Sequence, residues 1–141
     1  NSLTGVLPHQ LGALSNLLVG NFFENSLSGT LPTELGLLLN VEKLSFSTNR
    51  INGTIPRALG ALNQLELLHI YENNLSGTLP PGLGNLKRLQ NLDLSENSLS
   101  GTIPATLGGA ESLSYLSLFE NFLSGTVPSE LGALTSLEEL H

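Results

Sequence analysis

Residues 89–112 read LQNLDLSENSLSGTIPATLGGAES, and their spacing of Leu, Asn, Gly and Pro recurs along the chain with a period of 24. No insertion or deletion interrupts this recurrence. A fixed period of this length predicts a solenoid, because each repeat forms one coil that cannot bury its apolar face alone. Three columns hold a single residue type: Asn at 1, 25, 49, 73, 97 and 121, Gly at 5, 29, 53, 77, 101 and 125, and Pro at 8, 32, 56, 80, 104 and 128.

The repeated pattern LxxLxLxxNxLSGTIPxxLGxL resembles the leucine-rich repeat in its plant-type form, which has this same period. The segment that marks this form is present as LSGTLP, INGTIP, LSGTIP and LSGTVP, and the resemblance covers essentially the whole chain. It implies an α/β solenoid, a curved right-handed superhelix with a parallel β-sheet on the concave face. Short 3-10 or helical turns are expected on the convex face.

One leucine-rich repeat domain is predicted over residues 1–141. Solenoids need polar capping repeats to cover the core at their ends. No such repeat is recognisable, so we expect the chain to be a fragment of a longer protein. The units are a partial coil at 1–16, five full repeats at 17–40, 41–64, 65–88, 89–112 and 113–136, and the start of another at 137–141.

The composition narrows the classes of partner. Twelve acidic residues against five basic ones give a net charge of −7. This argues against nucleic acid and anionic membrane surfaces, since both require clusters of Lys and Arg. The chain has no cysteine, which excludes disulfides and thiolate metal sites. No apolar run approaches the ~18 residues of a membrane span, so no direct membrane insertion of this segment is expected.

Within each full repeat, whose positions are numbered from its first residue, positions 1, 4 and 6 are apolar and predict a short strand with one buried face. Stacked coils place these strands side by side, ~4.8 Å apart. Gly at position 13 predicts a positive φ or a close backbone approach. Pro at position 16 is expected to begin a helical turn and Gly at position 20 to end it. The Asn at position 9 is expected to turn inward and bond backbone groups, at Asn25, Asn49, Asn73, Asn97 and Asn121.

Acidic residues concentrate on the strand-face positions 2, 3, 5, 7 and 8. Lys43 is the only basic residue there. Two interpretations stay open, a solvated face that favours solubility and a field that attracts a basic partner. No oxygen-rich loop supports a calcium site, and neither a metal nor a cofactor is predicted. Nine of the twelve acidic residues belong to this set: Glu24, Glu42, Glu66, Glu72, Asp93, Glu96, Glu120, Glu138 and Glu139.

Aromatic residues occupy position 7 of alternate coils, with serines between them. Exposed aromatic and apolar side chains beside polar neighbours are typical of protein-binding hot spots. Alternatively, some of these side chains lean over and cover the sheet. In this family the concave face is the usual binding surface. The predicted ligand-binding residues are Phe23, Leu67, His69, Tyr71, Asp93, Glu96, Tyr115 and Phe119.

Position 5 places Ser45, His69 and Asp93 on adjacent strands, in the order of a hydrolase triad. A triad also needs an oxyanion hole and a pocket that excludes water, and a smooth repetitive sheet predicts neither. We therefore expect no enzyme activity from this chain, although a parent protein could carry a kinase domain elsewhere. The row is interpreted as a polar contact stripe in which His69 pairs with Asp93.

The segment around position 13 allows an alternative function and two modification sites. Thr at position 14 and mostly Ser at position 12 would form a regular hydroxyl array, which resembles the surfaces of solenoidal ice-binding proteins. The sequons Asn52-Gly53-Thr54 and Asn74-Leu75-Ser76 predict N-glycosylation at Asn52 and Asn74. Both sequons fit a secreted glycoprotein.

The resemblance implies a protein- or peptide-binding module, the extracellular recognition segment of a receptor-like kinase anchored in a membrane and acting in signalling. A secreted inhibitor of cell-wall enzymes, similar to polygalacturonase-inhibiting proteins, is an alternative, as is ice binding. The expected location is extracellular or at the cell surface. The expected partner is a protein or peptide, with a basic one favoured if the acidic face takes part.

Overall fold

Twelve short strands and six 3-10 turns make up the protein, described for all residues 1–141 by a computed structural model. Each coil adds one strand to each of two parallel sheets and one 3-10 turn to the opposite side. The main sheet has the order β12-β10-β8-β6-β4-β2, and the second sheet has the order β1-β3-β5-β7-β9-β11. The main-sheet strands are β2 Val19–Asn21, β4 Lys43–Ser45, β6 Leu67–His69, β8 Asn91–Asp93, β10 Tyr115–Ser117 and β12 Glu139–Leu140.

The remaining elements follow the same recurrence. The second-sheet strands are β1 Thr4–Val6, β3 Ser26–Thr30, β5 Arg50–Thr54, β7 Asn74–Gly77, β9 Ser98–Gly101 and β11 Phe122–Leu123. The 3-10 turns are His9–Ala13, Thr33–Leu37, Arg57–Ala61, Pro81–Asn85, Ala105–Gly109 and Ser129–Ala133. These helical segments are too short, and not apolar enough, to cross a bilayer. Parallel sheets with short 3-10 turns confirm the predicted type of fold.

The two sheets differ in register. In the main sheet Leu68 lies opposite Leu44 and Leu92, so partners hold the same position in successive coils. In the second sheet Asn52, at position 12 of its coil, lies opposite Asn74, at position 10 of the next. Equivalent residues are therefore level in the main sheet but staggered by two residues per strand in the second.

Between the two sheets and the 3-10 turns lies one continuous apolar core of 30 buried residues. Position 4 of each full coil contributes a leucine to this core, except in the first full coil, where it is Gly20. A Cβ at Gly20 would lie 2.9 Å from the Leu44 side chain and 3.4 Å from the Phe22 ring, so these groups occupy the space. Phe22 stacks on Phe46 with ring centroids 5.2 Å apart.

The Asn column joins neighbouring coils through side-chain bonds. Asn97 Nδ2 donates to the carbonyls of Ile70 at 2.9 Å, Ser95 at 3.0 Å and Leu94 at 3.3 Å. Its Oδ1 accepts from the Leu75 N–H at 2.9 Å. Each such side chain pairs backbone groups that the bend after the strand would leave unsatisfied. Equivalent sets of four bonds are made by Asn49, Asn73 and Asn121, and three of the four by Asn25.

Glycine at position 20 does not end the 3-10 turn, as the sequence led us to expect. Gly84 lies inside the turn, and a Cβ there would stand 1.8 Å from the Thr106 carbonyl oxygen of the next coil. At Gly36 the corresponding distance to the Ala58 carbonyl is 2.6 Å. These glycines are needed because adjacent turns approach closely, and the turns end two residues later at their C-caps.

The predicted start of the helical turn, at the proline of position 16, was also wrong by one residue. Pro32 has φ −67° and ψ 139°, which is extended backbone, and the 3-10 turn begins at the next residue. Proline therefore stands at the N-cap, where its fixed φ leads the chain into the turn. The prediction for Gly at position 13 is confirmed, since these glycines have φ between 73° and 88°.

Candidate functional site

Four of the eight predicted ligand-binding residues converge on one cavity in the outward face of the main sheet. The cavity has a volume of about 290 Å³ and opens on the first three full coils. Lys43 occupies its middle strand, between Val19 and Leu67 in register. The lining combines apolar, aromatic and polar side chains: Val19, Gly20, Asn21, Phe23, Lys43, Ser45, Leu67, His69 and Tyr71.

Two aromatic side chains meet across the cavity although they come from coils that are not adjacent. The ring centroids of Phe23 and Tyr71 are 6.3 Å apart, with the planes tilted by 53°. Ser47 holds the equivalent position in the intervening coil and is fully buried. A small residue there lets the larger rings lean together, while Phe23 keeps 40% of its surface exposed. The rings therefore lean over the sheet and still present an apolar surface, while their role in binding stays a prediction.

The other four predicted residues lie outside the cavity, on the next two coils. Asp93 Oδ1 accepts from the Ser95 hydroxyl at 2.6 Å and from the Ser95 N–H at 3.1 Å, which holds the carboxylate in place. Tyr115 packs near His141, with ring centroids 5.8 Å apart. Phe119 and Glu96 are exposed. The predicted residues are thus divided between a cavity of mixed polarity and a neighbouring region that holds two acidic and two aromatic side chains.

His69 does not pair with Asp93, although register places them side by side. Only Oδ1 of Asp93 makes hydrogen bonds, and its partner is Ser95. His69 Nε2 is buried without a hydrogen-bond partner. Burial lowers the pKa of His69, and the nearby Asp93 carboxylate opposes that shift. No hydrogen bond links Ser45 to His69 or His69 to Asp93, so the order of a triad is present without its contacts.

The residues at position 8 have an unexpected backbone conformation. Glu72 and Glu96 have φ of 55° and 52°, in the left-handed region that non-glycine residues rarely adopt. The same holds for Thr48, whose hydroxyl donates to Glu72 Oε2 at 2.8 Å. Burial and the carboxylates of Asp93, Glu72 and Glu96 raise the pKa of Tyr71. The acidic side chains therefore set a negative potential beside the cavity.

Four successive stretches of the chain, 40–62, 64–86, 88–110 and 112–134, match the leucine-rich repeat family model. They cover more than half of the sequence. The chain belongs to the leucine-rich repeat family. A search among curated proteins found no match.

Solved structures place this leucine-rich repeat chain beside plant receptors. A plant peptide hormone receptor, RGFR1, solved in complex with RGF2, is 36% identical with a TM-score of 0.95 over 99% of this chain. The ectodomain of the Arabidopsis receptor kinase HAESA, solved with an IDA peptide hormone, is 38% identical with a TM-score of 0.90 over 97% of this chain. The chain spans 23% and 24% of these two solved chains, so it corresponds to about a quarter of each.

A third solved structure has a different activity. It is a plant ice-binding protein, 34% identical with a TM-score of 0.86, and the match covers 93% of this chain and 43% of that one. Leucine-rich repeats of this type therefore occur in proteins with more than one kind of binding surface.

The predicted array of Ser and Thr hydroxyl groups lies on the second sheet of the leucine-rich repeat chain. Equivalent residues of neighbouring coils are offset there by two residues. The Ser76 hydroxyl donates to the Gly53 carbonyl at 3.2 Å, and Ser100 repeats this bond to Gly77 at 3.4 Å. These serines are therefore engaged within the protein. A Cβ at Gly53 would lie 2.7 Å from the Thr30 Cγ2 atom, so the glycine column makes room for the threonine methyl groups of the preceding coil.

The two sequon asparagines lie next to each other on this sheet. Asn52 and Asn74 are register partners on adjacent strands. Both are exposed, and neither side chain makes a hydrogen bond in the structure. No group of three or more His, Asp or Glu residues is placed to hold a metal ion.

Five of the nine residues that line the cavity were not among the predicted site residues: Val19, Gly20, Asn21, Lys43 and Ser45. Lys43 was visible as the only cation on the acidic face, and Asn21 shares the outward column of His69. The signal for Lys43 was its position between apolar residues on both neighbouring strands. That signal could have placed it in the site rather than outside it.

Proposed function

We propose that the chain is a recognition module that binds a peptide or protein segment across the outward face of the main sheet. The observation that carries this proposal is the cavity formed by Phe23, Leu67, His69 and Tyr71 with Lys43 in its middle. Ligand pockets generally measure about 300–1,000 Å³, so a cavity of about 290 Å³ suits one or two side chains. A longer ligand would extend from it over the neighbouring coils.

The regular spacing of the sheet supports an extended ligand. Strands ~4.8 Å apart present a repeated set of side chains along which a peptide can lie. Aromatic anchors beside a polar rim are typical of protein-binding surfaces. Two similar plant receptors were solved with peptide hormones, which supports the same class of ligand here. We further propose that the chain is the extracellular segment of such a receptor-like protein.

A selection experiment tests the proposal. The purified chain is panned against a random peptide library, and an enriched peptide is then titrated against variants by calorimetry. Phe23→Ala and Tyr71→Ala should each weaken binding about 10- to 30-fold, since truncated aromatic anchors commonly cost about 2 kcal/mol.

Phe122→Ala is the matched control, because Phe122 is an aromatic residue on the second sheet with 72% of its surface exposed. It should leave the affinity unchanged. Failure to enrich any peptide, or equal losses from Phe122→Ala and Tyr71→Ala, would contradict the proposal.

Ice binding is a second candidate, favoured by the ordered threonine column and by the similar ice-binding protein. The methyl groups of Thr30, Thr54 and Thr78 pack against glycines of the next coil, which fixes these side chains in a repeated orientation. Thermal hysteresis at millimolar protein, abolished by Thr78→Tyr, would establish this activity. Hysteresis equal to that of a buffer with a non-binding protein would dismiss it.

We also propose that the chain lies outside the cell, and N-glycosylation tests this location. Asn52 and Asn74 are exposed and free of side-chain bonds, so they are accessible to N-glycosylation. Mass spectrometry of the chain secreted from plant cells should show glycan at these asparagines. Loss of the added mass in the Asn52→Gln and Asn74→Gln double variant would assign it. An unmodified secreted chain would remove this support.

A further inference from the structure

Charge on the outward face of the main sheet is divided between two regions. Lys43 stands at the cavity and makes no ion pair in the structure. Other cations are either paired or elsewhere: Lys87 and Arg88 bind Glu111 and Glu66, and Arg50 lies on the second sheet. The acidic residue Glu72 lies on the third full coil, which also carries Leu67 and His69 of the cavity. Asp93 and Glu96 lie on the fourth full coil. Glu24 and Glu42 also belong to this face, but neither forms an ion pair with Lys43. A ligand that runs from Lys43 toward the fourth full coil therefore meets this cation first and the carboxylate of Asp93 beyond it.

We infer that the preferred ligand is an extended peptide with an acidic side chain for Lys43, a basic side chain for Asp93 and an apolar side chain between them. The inference rests on the proposed function and specifies its ligand. It replaces the expectation of a simply basic partner with one whose charges are ordered along the chain.

The spacing of these charges can be worked out from the register. Lys43 is opposite Leu67 on the next strand, and His69 is opposite Asp93 on the strand after that. From Lys43 to Asp93 is thus two strands across and two residues along, which is about 12 Å from ~4.8 Å and ~3.3 Å steps. Side chains at i and i+4 of an extended peptide share one face and are ~13 Å apart. The predicted motif is therefore acidic-x-apolar-x-basic, in either chain direction.

The middle of this path is apolar. Leu67 lies on the strand between the two charged residues, and Tyr71 lines the same cavity. A peptide side chain at i+2 shares the face of i and i+4 and would enter here. Burial of an apolar group against these side chains supplies the non-directional part of the binding free energy.

Both charged residues are prepared to meet a ligand. The Asp93 carboxylate is oriented by two bonds from Ser95 to the same oxygen, and its other oxygen makes no hydrogen bond in the structure. Glu66, which directly precedes the strand next to that of Lys43, forms an ion pair with Arg88 at 2.5 Å. Lys43 therefore has no carboxylate bound to it and remains free to bind a ligand carboxylate, as Asp93 does for a ligand cation.

Panning of one random peptide library on the wild-type chain, followed by sequencing, tests the inference. The expected result is enrichment of acidic-x-apolar-x-basic peptides. Enriched peptides without paired charges would overturn the inference and leave the proposed function standing. Failure to enrich any peptide would overturn both.

A charge reversal then assigns the contact. Lys43→Glu should weaken the binding of an enriched peptide at least tenfold, and replacing the peptide's acidic residue by lysine should recover most of the loss. Arg50→Glu makes the same change of charge on the second sheet and should have little effect. Equal losses from Lys43→Glu and Arg50→Glu, or no recovery with the lysine peptide, would show that Lys43 does not bind the acidic group.

Discussion

Removing one Asn side chain tests how the coils are joined. In Asn97→Ala the Leu75 N–H loses its acceptor, which was 2.9 Å away. The three carbonyls that Asn97 also binds each keep a second donor. Those donors are the Asn73 side chain for Ile70, the Asn121 side chain for Leu94 and the Glu72 N–H for Ser95.

The expected cost of Asn97→Ala is therefore concentrated on one donor. Asn97 is only 8% exposed, so water cannot easily replace the lost acceptor. A buried N–H left unpaired costs about 1–3 kcal/mol. A loss of about 2 kcal/mol should lower the Tm by about 5–8 °C for a domain of this size. Urea unfolding followed by circular dichroism measures the free energy of unfolding directly.

Asn63→Ala is the control, because Asn63 is exposed and its side chain makes no hydrogen bond in the structure. It should change the free energy of unfolding by less than about 0.5 kcal/mol, as is usual for surface substitutions. If Asn97→Ala were no more destabilising than Asn63→Ala, the role assigned to the Asn column would be refuted.

Three further predictions concern glycine, glutamate and histidine. Gly84→Ala should lower the free energy of unfolding by about 3 kcal/mol or more through overpacking, since its Cβ would stand 1.8 Å from the Thr106 carbonyl oxygen. The control is Gly132→Ala, whose Cβ would meet nothing within 4 Å. In urea unfolding this control should be neutral or slightly stabilising. Glu120 has φ 50°, so Glu120→Gly should match wild type in thermal melts while a β-branched valine there loses about 1 kcal/mol or more. The pKa of His69 is lowered from 6.5 by burial, so the unfolded chain binds its proton more readily, and stability should fall as pH drops below 6.5. His69→Gln should flatten that part of the pH profile, and an unchanged slope would contradict the assignment.

The uninterrupted recurrence of the repeat was sufficient to predict the two kinds of strand and the Asn contacts. Leu68 and its equivalents must face one core because a solenoid coil has no other place to bury them. Asn97 follows a strand at the point where the backbone bends, and an amide there can both donate and accept. These inferences depend on local periodicity, which a sequence shows directly.

Some of the errors arise from contacts between coils and others from local backbone geometry. Gly84 was interpreted as a turn terminator because glycine often ends helices, whereas its role comes from the Thr106 carbonyl of the next coil. The positive φ of Glu96 could not be expected, since glutamate has no preference for that conformation. The stagger that sets Asn52 opposite Asn74 is a property of stacking, which identical columns in a sequence do not reveal.

The candidate site was predicted in part. Position 7 showed large side chains alternating with serine, and the meeting of Phe23 and Tyr71 across Ser47 follows from that alternation. The predicted pairing of His69 with Asp93 was wrong, because strand register alone does not determine which hydrogen bonds form. Ser95, two residues after Asp93 and just past the end of its strand, offered a hydroxyl and an N–H within hydrogen-bond distance.

Chemical-shift mapping by NMR tests most directly whether the main sheet is the binding face, and a chain of 14.9 kDa is suitable for it. A peptide enriched by panning is titrated into the ¹⁵N-labelled protein. We predict that the largest shifts occur at Val19–Asn21, Lys43–Ser45, Leu67–His69 and Asn91–Asp93, with little change at Arg50–Thr54 and Asn74–Gly77. The largest shifts on those second-sheet strands, with the main sheet unaffected, would contradict the account.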